Sequence, residues 1–320
     1  MKPRVVSLLP SATEALCFLG GGHLLVGRSH ECDFPPSITH LPVLTAQRTD
    51  PRADPAEIDR VVSASLASGQ SLYTLDERTL ADLRPDLILT QDLCAVCSID
   101  LAAVRRVAAG LSPPPRVLSL NPRTIDAVID DLLTIGAAVG LDAGPAVSAL
   151  RNRFFTAEEH VNPYADPPRL ALLEWTDPLF CAGHWTVQLI ERAGAAHPLN
   201  PTVPTPNAGA AAGPQRAQRT APPSFRTSPE SLAASAPEFL VIAPCGLTLS
   251  QTRDAARALA RQPWWPSLPA VRNNRVALVD GNQMFNRPGP RLADAFEWLV
   301  AWINDRPDLI PPGFPWEPFQ

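Results

Sequence analysis

The stretch Trp264-Trp-Pro-Ser-Leu-Pro-Ala-Val-Arg-Asn-Asn-Arg-Val-Ala-Leu-Val-Asp280, followed by Asn286-Arg-Pro-Gly-Pro-Arg-Leu-Ala-Asp294, decides the fold. It reads as a tryptophan-bearing turn, a short edge strand from Arg275 to Asp280, a polar loop, and a closing helix that starts at a proline. A proline is tolerated at that point because the N–H it lacks would have no intrahelical partner in the first turn.

Further from this stretch, strands and helices alternate. Residues 4 to 9 form an apolar run short enough for a buried parallel strand. Ser11 and Glu14 have the spacing of a capping box, so a helix is expected to start at Ser11 and to stop at Gly20 to Gly22. Strands are expected at Leu24 to Gly27, Pro85 to Thr90 and Arg116 to Leu120, an extended piece at Leu72 to Leu75, and helices near 55–67, 76–83 and 98–109. From about 124 to 160 the period is helical throughout, with an interruption at Gly140 to Pro145. Alternation then resumes with strands at Arg169 to Glu174 and Glu238 to Ile242 and helices near 186–193 and 251–260. Such alternation signals a layered α/β protein with parallel sheets. Residues 198–223, rich in Pro, Ala, Gly and Thr and without apolar periodicity, read as a disordered insertion.

At 320 residues the chain exceeds the usual size of one core, and 45% hydrophobic residues suffice for two. The expected division is an α/β lobe over 1–123, a linking helical segment over 124–162, and a second α/β lobe over 163–320. A net charge of -5 speaks against a nucleic-acid binder, and no apolar run of about 18 residues exists to insert into a membrane. The apolar run after Met-Lys-Pro-Arg is broken at Pro10, Thr13 and Glu14, short of a secretory leader, so the expected location is cytoplasmic. In that compartment the six cysteines stay reduced, with Cys17 in helical packing and the others in or beside loops.

In an open parallel sheet, ligands bind where loops converge beyond the carboxyl ends of the strands. Here those loops hold Ser11, Arg28 to Asp33, Gln47/Arg48 and Gln91 to Cys97 in the first half. In the second half they hold Trp175 to Trp185, Cys245/Gly246 and Asn282 to Asn286. Trp, His, Cys, Gln and Asn are abundant among them, and large flat ligands use aromatic faces for area and polar groups for their edges. Each such residue alone is more often a turn or loop anchor than a contact; together they favour a cleft. The same loops also allow different chemistry. Cys94-Ala-Val-Cys97 has the spacing shared by metal sites and redox pairs, and His30 and Cys32 follow another strand of the same sheet. Thiolates and imidazole would suit zinc, or iron. No Gly-x-Gly-x-x-Gly, Walker motif or Gly-x-Ser-x-Gly elbow is present to support nucleotide binding or a hydrolase triad.

Three segments carry a family resemblance: Val5-Val-Ser-Leu-Leu-Pro-Ser-Ala-Thr-Glu14 with Gly21-Gly-His-Leu-Leu-Val-Gly27, Leu83-Arg-Pro-Asp-Leu-Ile-Leu89, and Trp265 to Asp294. In these the chain resembles the class III periplasmic-binding-protein-like family that captures vitamin B12, haem and iron–siderophores, most of all its leaderless, cobalamin-binding branch. The resemblance implies two Rossmann-like α/β lobes joined by a long helical spine, with the ligand clamped in a cleft between lobes and no bond made or broken. It implies a corrinoid such as cobalamin, or a similar metal chelate, as ligand, and a transporter or corrinoid-handling protein as partner. The implied ligand residues are Ser11, Arg28, His30, Glu31, Asp33, Gln91 and Asp92 in the first lobe and Trp175, His184, Trp185, Ser224 and Gly246 in the second. The alternative is a metal- or thiol-dependent enzyme on the same scaffold, using Cys32, Cys94, Cys97 and His30.

Overall fold

Val5, Val6 and Ser7 form β1, all three buried, at the centre of a sheet in a computed structural model that describes residues 2–50, 53–68, 70–92, 99–205 and 219–320. The chain divides into two units. The first comprises 1–53, 57–122 and 127–149, the second 54–56, 123–126 and 150–320.

In the first unit, α1 (Pro10–Phe18) follows β1, and then come β2 (Leu25–Arg28), β3 (Thr45–Gln47), α2 (Pro55–Ala67) and β4 (Tyr73–Leu75). After them lie α3 (Glu77–Leu83), β5 (Leu87–Thr90), α4 (Leu101–Ala109) and β6 (Arg116–Ser119). The main sheet is wholly parallel in the order β2-β1-β5-β6, and β3 pairs with β4 as a separate antiparallel ribbon. The chain leaves β1 on one side for β2 and returns on the other for β5. Strand order therefore reverses between β1 and β5, which is where a crevice opens at the carboxyl ends. Val6, Leu8, Leu44, Leu80, Ile88 and Val104 fill the core beneath.

The helix after β1 starts differently from the expectation. Its N-cap is Leu9, with no side-chain cap, and Pro10 occupies the first turn, so Ser11 lies inside α1 and is buried. Proline's fixed φ suits the first helical position and moves the N-cap two residues ahead of the capping box, from Ser11 to Leu9. The segment 125–158 is two helices, α5 (Ile125–Val139) and α6 (Gly144–Glu158). The break falls at the expected place, where the Asp142 carboxylate accepts the Gly144 N–H and opens the second helix.

The second unit contains β7 (Leu170–Thr176), β8 (Leu179–Cys181), α7 (His184–Arg192), β9 (Val203–Pro204), β10 (Arg219–Thr220), β11 (Phe225–Arg226) and α8 (Pro229–Ala234). It continues with β12 (Phe239–Ile242), α9 (Leu249–Ala260), α10 (Pro269–Arg272), β13 (Val276–Val279), α11 (Leu292–Ile303) and β14 (Trp316–Pro318). Its sheet runs β11-β8-β7-β12-β13-β14, parallel at β7, β12 and β13 and antiparallel toward both edges. The strand expected at the edge, β13, is therefore interior, because β14 pairs outside it. Pro318 has no N–H to give and is accommodated on that outermost strand. Helix α11 buries Leu292, Phe296, Trp298, Leu299 and Val300 on this sheet, each worth roughly 1.5–3 kcal/mol. Trp298 stacks between Trp302 and Phe314.

The segment expected to be disordered is built at both described flanks. Strand β9 pairs with β10, and Asn200 and Thr202 are buried. The Glu191 carboxylate on α7 accepts both the backbone N–H (2.8 Å) and the hydroxyl of Thr202, and Arg219 donates to that hydroxyl (2.8 Å) and to the Thr202 carbonyl (2.6 Å). Composition concealed these polar anchors; the centre of the segment, 206–218, lies outside the described residues.

Candidate functional site

The first unit's loops meet around Ser29, where β2 ends. Three bonds order the turn: Ser29 N–H to the Ser7 carbonyl (2.9 Å), Cys32 N–H to the Ser29 carbonyl (3.2 Å), and Glu31 N–H to the Ser29 hydroxyl oxygen (3.2 Å). The Arg28 guanidinium is spent on the same turn, donating to the carbonyls of Ser29, Cys32 and Thr39 at 2.8–3.2 Å. Arg28 thus shapes the loop. Cys32 is fully buried and accepts a hydrogen bond from the Thr13 hydroxyl at 3.0 Å.

His30 is the most telling side chain of this unit. Its backbone N–H and its Nδ1 both reach the Thr45 hydroxyl oxygen, at 3.1 and 2.7 Å, while Thr45 donates to Ser29 Oγ at 3.0 Å. With the Thr45 proton used there, the tautomer that satisfies the chain carries its proton on Nδ1 and a lone pair on Nε2. That Nε2 is buried without a hydrogen-bond partner. Burial holds the imidazole below its ordinary range against an opposing pull from Gln47, and the Arg28 charge adds to the lowering. His30 is consequently neutral at pH 7. The Tyr73 ring lies 5.8 Å away, with its hydroxyl 3.5 Å from Glu31 Oε1. Tyr73 was not among the expected residues; as an aromatic on an extended piece beside the candidate loops, it had a signal that could have found it.

At the switch point between β1 and β5, Ser11 and Gln91 are buried and Thr90 Oγ1 is buried without a partner. Asp92 is exposed, its N–H held at 2.6 Å by the Asn121 side chain from the loop after β6. Asp33 is exposed. Cys94 and Cys97 lie outside the described residues. Among the described residues no group of three or more His, Cys, Asp or Glu side chains is arranged to hold a metal ion.

The second unit builds its loops on two close backbone approaches. A Cβ on Gly183 would stand 2.1 Å from Ser224 N, and one on Gly281 would stand 1.9 Å from the Pro244 carbonyl oxygen, so only glycine fits. Around Gly281, Gly246 N–H donates to its carbonyl at 3.1 Å, and Asn286 Nδ2 donates to Gly281 and Ala243 at 2.7 and 3.0 Å. The loops after β12 and β13 are thereby locked together.

After Gly183, whose N–H lies 3.4 Å from a Glu174 carboxylate oxygen, the chain turns into α7 through His184 in the left-handed region (φ +49). For a residue with a side chain this costs of order 1–3 kcal/mol and persists only when the surroundings impose it. Here His184 N–H donates to the Pro222 carbonyl at 3.0 Å, and the ring stacks on Trp185 at 5.8 Å. Its Nδ1 is buried without a partner; burial, then the nearby Arg123 charge, hold the imidazole below its ordinary range. The Trp185 indole N–H donates to the Phe285 carbonyl at 2.9 Å. Trp175 donates to the carbonyls of Asp177 and Pro55, and Thr176 Oγ1 is another buried atom without a partner. Ser224 is exposed.

No family model and no curated protein matches the sequence. Solved structures do match. The apo form of a periplasmic heme-binding protein from Roseiflexus sp. RS-1 is 21% identical, with a TM-score of 0.65 over 96% of this chain and 99% of its own. The periplasmic vitamin B12-binding protein of Vibrio cholerae is 19% identical (TM-score 0.62; 96% and 98%). A periplasmic heme-binding protein from Pseudomonas aeruginosa is 21% identical (TM-score 0.65; 100% and 96%). These likenesses overturn the cytoplasmic expectation, since the similar proteins are periplasmic. The broken apolar run at residues 5–14 that prompted it folds as β1 and the start of α1, elements that say nothing about compartment. Two α/β units matched end to end in this way give the chain the fold of the class III periplasmic binding proteins.

Proposed function

We propose that this chain is a non-catalytic binding protein for a large, flat metal chelate of heme or corrinoid size, working in the periplasm and passing its ligand to a membrane transporter. One observation carries the reading. Among the described residues six buried side-chain atoms lack a hydrogen-bond partner, and five of them belong to the loops and strand ends in question: Arg28 Nε, His30 Nε2, Thr90 Oγ1, Thr176 Oγ1 and His184 Nδ1. An unpaired buried polar group costs about 1–3 kcal/mol, so its recurrence at the carboxyl ends of strands suits ligand contact better than packing. His30 with Glu31 and Gln91 would serve in the first unit, and Trp175, His184 and Trp185 in the second. Aromatic faces would supply area and the few polar groups orientation. The end-to-end likeness to heme- and vitamin B12-binding proteins supports the same ligand class.

The test is titration of the purified, reduced protein with hydroxocobalamin and, separately, with hemin, followed by absorbance and calorimetry. Saturable one-to-one binding of either at micromolar affinity or better is expected. A shift in the ligand's absorption bands that is lost in His30→Leu would assign His30 to the metal. Neither ligand binding would overturn the proposal. Stoichiometric zinc or iron in the purified protein, lost in a Cys94→Ser/Cys97→Ser variant, would favour the enzyme reading instead.

A further inference from the structure

The loop that follows β6, Leu120-Asn-Pro-Arg-Thr124, was not among the expected ligand loops, yet it is fixed beside them. Asn121 holds the Asp92 N–H through Oδ1 at 2.6 Å and donates from Nδ2 to Ser119 Oγ at 3.1 Å. Two residues on, Arg123 is exposed and makes no hydrogen bond or ion pair among the described residues. A solvated arginine is ordinary; the placement of this one is not. Ile125 N–H donates at 2.8 Å to Gln188 Oε1, and Gln188 in turn donates to the Arg219 carbonyl. Gln188 stands four residues after His184, one turn into α7. The backbone two residues from Arg123 is therefore pinned to α7 one turn from His184. The Arg123 charge is felt at that imidazole, opposing its protonation.

The two groups are chemically complementary to one kind of partner. A guanidinium free to make a forked pair recognises a carboxylate, and a neutral imidazole can add an N–H donor. Trp185, buried and held through its indole N–H by the Phe285 carbonyl, stacks against His184 and fixes the imidazole's plane. We infer that Arg123 and His184 form a corner for an anionic substituent, so that the chelate this chain takes carries carboxylates at its edge. The inference rests on the chelate-binding reading above and sharpens it: a corrinoid whose edge carries neutral amides gives the guanidinium no charge to pair with, whereas a porphyrin dicarboxylate does.

The experiment compares iron(III) protoporphyrin IX, its dimethyl ester and hydroxocobalamin, in the same dilute detergent, on the full chain and on Arg123→Gln. The wild-type protein should bind the diacid at least ~10-fold more tightly than the diester, the scale of one hydrogen bond to a charged group. In Arg123→Gln that preference should vanish, the diacid affinity falling to the diester's. Wild-type affinity for the diacid should also fall with salt more steeply than the variant's. Equal wild-type affinity for acid and ester, a preference that survives Arg123→Gln, or binding of hydroxocobalamin alone would each overturn the inference and leave chelate binding standing. If the wild-type protein takes up none of the three, the chelate-binding reading itself fails, and the corner with it.

Discussion

His197 offers a quantitative test of the second unit. It is 1% exposed; its Nδ1 accepts the Asn200 N–H at 3.1 Å, and Leu172 N lies 3.5 Å from Nε2. Burial pushes its pKa down from 6.5 to about 4, against a small opposing contribution from the Leu172 contact. Protonation would bury a charge and remove the acceptor that Asn200 uses. The unfolded chain takes up this proton near pH 6.5 and the folded chain near 4, so the unfolded state holds more protons between those values. Stability is then full above about pH 7 and falls as pH drops through the window, at up to ~1.36 kcal/mol per pH unit. Over the window the loss is about 3 kcal/mol, a sizeable share of the ~5–15 kcal/mol that holds a domain together. In His197→Asn the side-chain oxygen can replace Nδ1 and nothing titrates. All seven tryptophans lie between Trp175 and Trp316, so their fluorescence in urea reports this unit. The difference in unfolding free energy between wild type and variant, measured between about pH 7.5 and 4.5, should shift toward the variant by most of that amount. A difference that stays flat within ~0.5 kcal/mol over this range would refute the reasoning.

Asp131 on α5 carries the opposite sign: burial and then its neighbour Asp130 raise it to about 7, so stability is lost as pH rises from the ordinary carboxylate range through 7. Asp131→Asn should raise the thermal midpoint by ~2 °C or more at pH 8 and by much less at pH 4, read by circular dichroism. Gly281→Ala places a methyl group 1.9 Å from the Pro244 carbonyl oxygen and must move backbone. It should cost ~2 kcal/mol or more in urea unfolding and weaken chelate binding, because the Gly246 and Asn286 bonds shift together. Arg28→Met frees three carbonyls of the 29–39 loop, so amide exchange over residues 29–33 should rise in the unliganded protein; unchanged exchange would show that these bonds do not order the loop.

The strands and helices that the sequence displayed were those with enough apolar residues in one period to state a direction. Val5–Ser7, Leu87–Thr90 and Phe239–Ile242 are buried on both faces and read as continuous runs. What escaped was set by contacts far along the chain. Trp316–Pro318 is a strand only because β13 offers it an edge, and the flanks of 206–218 are ordered only because Glu191 and Arg219 hold Thr202. At the candidate site, the carboxyl-end rule identified the loops but not the duty of each residue within them. Arg28 and His30 look alike in sequence, as polar residues in one turn, yet the first is largely consumed by carbonyls and the second keeps a lone pair. Nothing in the sequence marks Arg123, because Asn-Pro-Arg after a strand reads as an ordinary turn; its significance comes from Gln188, 63 residues away in sequence from Ile125.

The distribution of costs is itself an argument. A chain selected only to fold would place strained backbone and unpaired buried groups where packing left no choice, scattered over both units. Here His184 combines a left-handed backbone with an unpartnered Nδ1, and Gly183 and Gly281 permit approaches no other residue allows. His30 and Thr90 add their own unpartnered atoms beside the first unit's switch point. The cores offer a contrast, for their apolar side chains are closely packed, with one unpartnered indole N–H at Trp298 among the described residues. Left-handed backbone alone does not single out these loops and strand ends, since Arg84, Ala236, Asn274 and Asp305 share it. The unpartnered buried atoms do: five of the six among the described residues lie there, as expected where function, not stability, sets the positions. Binding would return the cost: a ligand that satisfies His30 should raise the unfolding temperature of the first unit, and one that satisfies His184 that of the second.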